Sequence, residues 1–134
     1  MNDNLYKTVI LEHYRHPCNR GDIPEAWPAQ CTENPSCGDR IELGLDIRDG
    51  RIHDVRFDGV GCAVSLASCS IMTEKIKGQT CAAACEMADR FLAFLNGGDE
   101  VEDDELRAFE QVRRYPSRIK CASLAWQTVK KLAE

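Results

Sequence analysis

The sequence predicts an α+β domain, a small antiparallel β-sheet covered by helices, and three observations carry that prediction. Residues 41–47 alternate in the two-residue period of a half-buried strand, with Ile41, Leu43, Leu45 and Ile47 on one face. Asp49-Gly50 then marks a hairpin turn, after which Ile52, Val55 and Phe57 continue on a second strand with some irregularity of phase. Beyond residue 61 the period lengthens to that of helices and stays there, so strands come early and helices late.

The other elements follow in chain order. Residues 3–15 form a helix, with an Asn/Asp start, Leu5 and Val9 one turn apart, and Pro17 as the stop. Residues 17–38 hold four of the five prolines, which predicts loop with one edge strand near 27–33. Small and apolar residues at 62–77 make a helix that ends at Gly78, and 79–95 make another, closed by Asn96-Gly97-Gly98. The acidic stretch from Asp99 to Glu105 leads into a short helix to about 114. Pro116 suits a helix N-terminus, and 117–132 complete the chain. No internal repeat or low-complexity linker interrupts this order, so residues 1–134 read as a single domain.

Composition narrows the function. A chain of 134 residues can bury one proper core. With 17 basic against 22 acidic residues, net −5, there is no basic field to gather phosphate backbones, and nucleic acid is not expected as a partner. No apolar run approaches the ~18 residues of a membrane span, so no membrane role is expected either. The opening Met-Asn-Asp-Asn-Leu-Tyr-Lys lacks an apolar signal core, which predicts a cytoplasmic protein.

Eight cysteines stand out, at positions 18, 31, 37, 62, 69, 81, 85 and 121. In a reducing compartment they are buried hydrophobes, metal ligands or reactive thiols. No two are three apart, which removes the zinc ribbon, the thioredoxin motif and the usual ferredoxin spacings. A metal site here must be gathered from distant parts of the chain.

Three of the eight have special surroundings. Cys37 lies in the turn Asn34-Pro35-Ser36-Cys37-Gly38-Asp39, where Gly38 lets the backbone bend so that Cys37 and Asp39 face one point. Cys62 follows Gly59-x-Gly61 at a strand-to-helix junction, where the positive end of the helix dipole favours a thiolate. Cys121 lies about one turn inside the last helix, beside Lys120 and near Arg118, on the face it shares with Leu124, Ala125, Thr128 and Leu132. Three thiolates and a carboxylate suit tetrahedral Zn²⁺ or a mixed iron site; each cysteine alone also fits a core.

These motifs resemble those of the SufU/IscU/NifU-N-terminal family of iron–sulfur cluster assembly proteins, and its SufU type most closely. Leu5-Tyr6 through His13-Tyr14 and Pro17 resembles the family's first helix. Asn34-Pro35-x-Cys37-Gly38-Asp39, Phe57-x-Gly59-x-Gly61-Cys62-Ala63-x-Ser65-x-Ala67-Ser68 and Arg118-Ile119-Lys120-Cys121-Ala122-x-Leu124-x-Trp126 resemble its three site motifs, in order. The resemblance implies an IscU-like fold with a metal site of Cys37, Asp39, Cys62 and Cys121. Scaffold-type members assemble a transient [2Fe–2S] cluster there and pass it to apo-proteins. SufU-type members hold zinc and accept persulfide sulfur from a SufS-type cysteine desulfurase, for delivery to a downstream scaffold or apo-protein.

Two departures favour the SufU type. Scaffold-type members place a histidine directly before the third cysteine, where this chain has Lys120, and a Leu-Pro-Pro-Val-Lys motif upstream, where it reads Tyr115-Pro116-Ser117-Arg118-Ile119-Lys120. The segment between Cys62 and Cys121 is also longer, around the acidic stretch. By this resemblance Cys37 is the sulfur acceptor of a zinc-dependent sulfurtransferase. A cluster scaffold and a merely structural zinc module are the competing readings.

The remaining candidates read as structure. Cys81 and Cys85, one helical turn apart, and Cys69 pack as core; Cys18 and Cys31 sit in the loop region. His13 and His16 read as polar groups at a helix end, His53 as exposed beside the hairpin turn, and the acidic run as a solvated helix start.

Overall fold

The computed structural model describes residues 3–35, 38–98 and 100–134, so Ser36, Cys37 and Asp99 lie outside the described residues. The chain adopts the expected α+β fold: α1 (Asp3–Arg15), β1 (Ala29–Asn34), β2 (Asp39–Arg48), β3 (Arg51–Val60), α2 (Ala63–Ile76), α3 (Cys81–Leu95), α4 (Asp104–Arg107), a 3₁₀ turn (Glu110–Arg114) and α5 (Pro116–Ala133). The three strands form one antiparallel sheet in the order β1-β2-β3.

The hairpin forms for the reason its sequence states. Asp49 and Gly50 both take positive φ, 52° and 73°, the backbone of a two-residue turn whose twist matches the strands it joins. Leu43 pairs with Phe57 and Leu45 with Val55, which puts all four on the face toward the helices. The register then shifts between Asp46 and Ile47, so Ile47 meets Ile52 and the exposed His53 is the extra residue. That bulge is the irregularity of phase in the sequence.

Ile41, Leu43, Leu45, Ile52, Val55 and Phe57 are fully buried and meet α2 and α5. Helix α2 is buried almost throughout, from Val64 to Thr73, which is why it carries no amphipathic stripe. A buried polar chain fastens it to α5: the Trp126 indole N–H donates to Ser68 Oγ at 3.1 Å, and that hydroxyl donates to the Ala122 carbonyl at 2.7 Å. Phe91 packs edge-on against Phe109 and lies 5.0 Å from the Trp126 ring centre, which joins α3 to the same core.

The outer edge of β3 is closed by two loops. Residues 19–21 exchange bonds with Phe57, Gly21 N–H to its carbonyl and its own N–H to the Asn19 carbonyl, each 3.0 Å. At the other end Gly78 N–H donates to the Ile52 carbonyl at 2.7 Å, and Ile52 N–H to the Gln79 carbonyl at 2.8 Å.

Two expectations change here. His13 is not helix-end decoration: its side chain is 12% exposed and bridges Ser70 Oγ (2.8 Å, from Nδ1) and Glu105 Oε2 (2.6 Å, from Nε2). The acidic run is not simply solvated, because Lys75 on α2 reaches both Asp103 and Glu105 at 2.8 Å and Arg113 reaches Glu100 at 3.3 Å. Asp103 also caps α4, its Oδ1 accepting from Glu105 and Leu106 N–H. The segment is thereby clasped to α1 and α2. The physical reason is partial burial: a carboxylate withdrawn from water keeps its charge only beside a cation.

Candidate metal centre

The site is assembled where a turn, a helix start and a helix interior meet. Asp39 opens β2 directly after the β1–β2 turn, which Gly38 enters at φ +76° with its N–H on the Asn34 carbonyl at 2.9 Å. The strand carries the Asp39 side chain inward, where it is 2% exposed, and its Oδ1 accepts the Cys62 backbone N–H at 3.0 Å. Cys62 is the N-cap of α2, with extended backbone at φ −78° and ψ 172°. Its sulfur accepts from the Ser65 N–H at 3.5 Å, in the place where a Ser or Asp side chain usually caps. Cys121 enters from α5, buried beneath the surface.

The ligand atoms of Asp39, Cys62 and Cys121 all lie within 4.8 Å of one another, and Cys62 Sγ is 3.8 Å from Asp39 Oδ2. In a tetrahedral zinc site, bond lengths of ~2.3 Å to sulfur and ~2.1 Å to oxygen place neighbouring donors about 3.6–3.8 Å apart. Cys62 Sγ and Asp39 Oδ2 stand at such a spacing, and two thiols with a carboxylate suit a borderline-soft ion. Cys37, the expected fourth ligand, lies outside the described residues; its neighbours Gly38 and Asp39 stand at the site.

Two glycines make the convergence possible. A Cβ on Gly59 would stand 2.1 Å from the Arg40 carbonyl oxygen across the strand pair, and one on Gly61 would stand 2.3 Å from Ser65 Oγ and 2.8 Å from Asp39 Oδ1. Ser65 is the residue whose role sequence reasoning missed. It is fully buried, its hydroxyl donates to the Cys62 carbonyl at 3.0 Å, and its signal was a hydroxyl three residues after a capping position. Lys120, next to Cys121, is exposed and lines a cleft of about 370 Å³ with Asn34, Ile119 and Gln127.

Elsewhere the cysteines do not converge with a third ligand among the described residues. Cys69 is fully buried, and that burial pushes its thiol far above the ordinary range. Cys81 and Cys85 are half-buried at the start of α3. Burial, then the Glu134 and Asp89 carboxylates, push the Cys85 thiol up. Cys18 and Cys31 are half-buried, and Cys18 contributes its backbone N–H to Ser70 Oγ at 2.8 Å.

Comparison with known proteins agrees with the architecture. The chain is 36% identical over 132 residues to the zinc-dependent sulfurtransferase SufU of Bacillus subtilis, covering 96% of this chain and 89% of that protein. It is 34% identical over 131 residues to the iron–sulfur cluster assembly scaffold protein IscU of Streptococcus pyogenes, covering 96% and 82%. A crystal structure described as a putative iron–sulfur cluster assembly scaffold protein for the SUF system, from Fervidobacterium islandicum, superposes over all of both chains. Its TM-score is 0.90 at 31% identity. The model of the NifU-like N-terminal domain matches residues 5–133, and with it the chain belongs to the NifU-like N-terminal domain family.

Proposed function

We propose that this protein works in iron–sulfur cluster assembly as a zinc-dependent acceptor and carrier of persulfide sulfur, supplied by a SufS-type cysteine desulfurase in the cytoplasm. The observation that carries the reading is the meeting of Asp39, Cys62 and Cys121 from three distant elements at metal-ligand separations. Cys37 completes the ligand set and is the sulfur acceptor. Zinc, when bound, supplies a positive charge that keeps the ligating thiols deprotonated yet masked.

The work of the chain's own residues follows. Asp39 and Cys62 are held against each other by the Cys62 N–H, so this half of the centre stands ready before any ion arrives. Cys121 is fixed by a helix whose position is locked through Trp126 and Ser68. The acceptor thiolate attacks the terminal sulfur of the desulfurase persulfide. A new S–S bond forms on Cys37, the old one breaks, and the desulfurase thiolate leaves. Downstream, a scaffold or apo-protein takes the sulfur.

The similarity to IscU keeps a second reading in play, in which the same thiolates hold a transient [2Fe–2S] unit. Lys120 favours the first: an exposed ammonium has no lone pair to offer iron where scaffold-type sequences place an imidazole. Protein purified without oxygen should be colourless with about one zinc per chain, and should stimulate a SufS-type desulfurase. A brown protein containing iron and sulfide would move the assignment to the scaffold. Zinc-loaded protein without stimulation would leave a structural zinc module.

A further inference from the structure

The geometry points to Gly61 and Ser65 as positioning residues of the metal centre: they hold Asp39 as a one-oxygen ligand and so set the centre's preference for four-coordinate, thiophilic ions. This inference rests on the metal-centre reading above. A carboxylate that grips a metal with both oxygens must turn both toward it. Here Oδ1 is turned onto the Cys62 backbone N–H at 3.0 Å, while Oδ2 is the oxygen 3.8 Å from Cys62 Sγ.

What keeps the carboxylate in that attitude is close approach on two sides of a bare Cα. Any Cβ on Gly61 would fall 2.8 Å from Asp39 Oδ1 and 2.3 Å from Ser65 Oγ, so Asp39 and Ser65 close on the glycine from two directions. Ser65 in turn cannot retreat. It is fully buried, its hydroxyl donates to the Cys62 carbonyl at 3.0 Å, and its N–H donates to Cys62 Sγ at 3.5 Å. The hydroxyl oxygen also lies 3.7 Å from that sulfur. One serine thus holds a thiol ligand and, through Gly61, backs the carboxylate ligand. Two sulfurs and a single oxygen match tetrahedral zinc or cobalt; harder ions such as Mg²⁺ or Mn²⁺ require more oxygens than this arrangement presents.

The test uses full-length, metal-free protein titrated with Co²⁺, comparing wild type with Gly61→Ala, Ser65→Ala and the double variant. Wild type should show the intense visible bands of four-coordinate cobalt with sulfur-to-cobalt charge transfer. Ser65→Ala should keep the bands but lose cobalt affinity by about tenfold, the lower range for removing a group that orients a ligand. Gly61→Ala should weaken the visible bands as the carboxylate is displaced. In the double variant the closer conflict is gone and only the one with Asp39 remains, so its loss should be smaller than the sum of the two single losses.

Wild-type bands and affinity in both single variants, with unchanged circular dichroism, would overturn the inference and leave the metal centre standing. Additive losses in the double variant would also overturn it. Absence of sulfur-to-cobalt charge transfer in wild type would overturn the metal-centre reading itself, and this inference with it. Should Gly61→Ala fail to fold, Ser65→Ala decides alone, since a hydrogen replaces the hydroxyl and no bulk is added; wild-type cobalt affinity there would refute the assignment.

Discussion

Cys81 and Cys85 sit one turn apart on a single helix, whereas Cys62 and Cys121 are separated by nearly sixty residues, yet among the described residues it is the second pair that meets a third candidate ligand, Asp39. At α3 partial burial, then the Glu134 and Asp89 carboxylates, discourage the Cys85 thiolate that a metal would need. At the other region Cys62 receives an N–H at its sulfur, Asp39 receives one at Oδ1, and two glycines remove the bulk that would keep the groups apart. Proximity along the chain is therefore a poor guide to ligation. Donors at the sulfur and room around it are the better one.

The largest effects should fall on the converging set. Cys62→Ser or Cys121→Ser should lower zinc affinity beyond the ~10–100-fold typical of changes around a ligand, measured by chelator competition. Cys37→Ser should abolish desulfurase stimulation even with some zinc retained. Asp39→Ala should alter metal exchange yet leave covalent sulfur on the peptide containing residue 37, read by mass spectrometry. Sulfur found on Cys62 or Cys121 in wild type would refute the acceptor assignment.

Removing the metal comes next. Because the ligands join a turn, a helix start and the last helix, chelation should lower the melting temperature by several degrees. An unchanged melting curve after verified removal would argue against any coupling of the centre to folding.

A smaller effect is expected at the clasp. Against the cost of partial burial, the Lys75 ammonium and backbone N–H groups hold the Asp103 carboxyl below its usual range, and Lys75 with His13 does the same for Glu105. A carboxyl whose folded pKa is depressed stabilises the fold above its unfolded pKa, near 4, and loses that contribution as pH falls through the lower folded value. Lys75→Met should therefore cost about 1 kcal/mol at neutral pH and flatten the acid limb of the stability curve. Denaturant titrations at pH 7 and below pH 4 test this, and equal losses at both would refute it.

The smallest effect sharpens the contrast. Cys81→Ser and Cys85→Ser should leave zinc content and sulfur acceptance at wild-type levels, with a stability loss of about 1 kcal/mol at most. Loss of zinc in either would move the site.

Much of this was legible in the sequence where the physics is local. The hairpin, its turn and the bulge follow from alternation and two residues of positive φ, and α1 runs over the expected 3–15. The short helix ending near 114 was half legible, since it divides into α4 and a 3₁₀ turn. His13 was not legible, because its partners Ser70 and Glu105 are 57 and 92 residues away and no spacing rule reaches that far. At the site, Asp39, Cys62 and Cys121 were readable from their motifs, but the part played by Ser65 appears only once strand and helix are set side by side.

The placement of Cys121 has a consequence in time. Asp39 leaves the ribosome well before Cys62, and Cys62 leaves it nearly sixty residues before Cys121, which at 5–20 residues per second is about 3–12 s. During that interval a growing chain holds two of the three converging donors and has no last helix to bring the third. The ligand set of the proposed centre is thus complete only after α5 has been made and has docked, and a filled centre would report that the core around Trp126 is already closed.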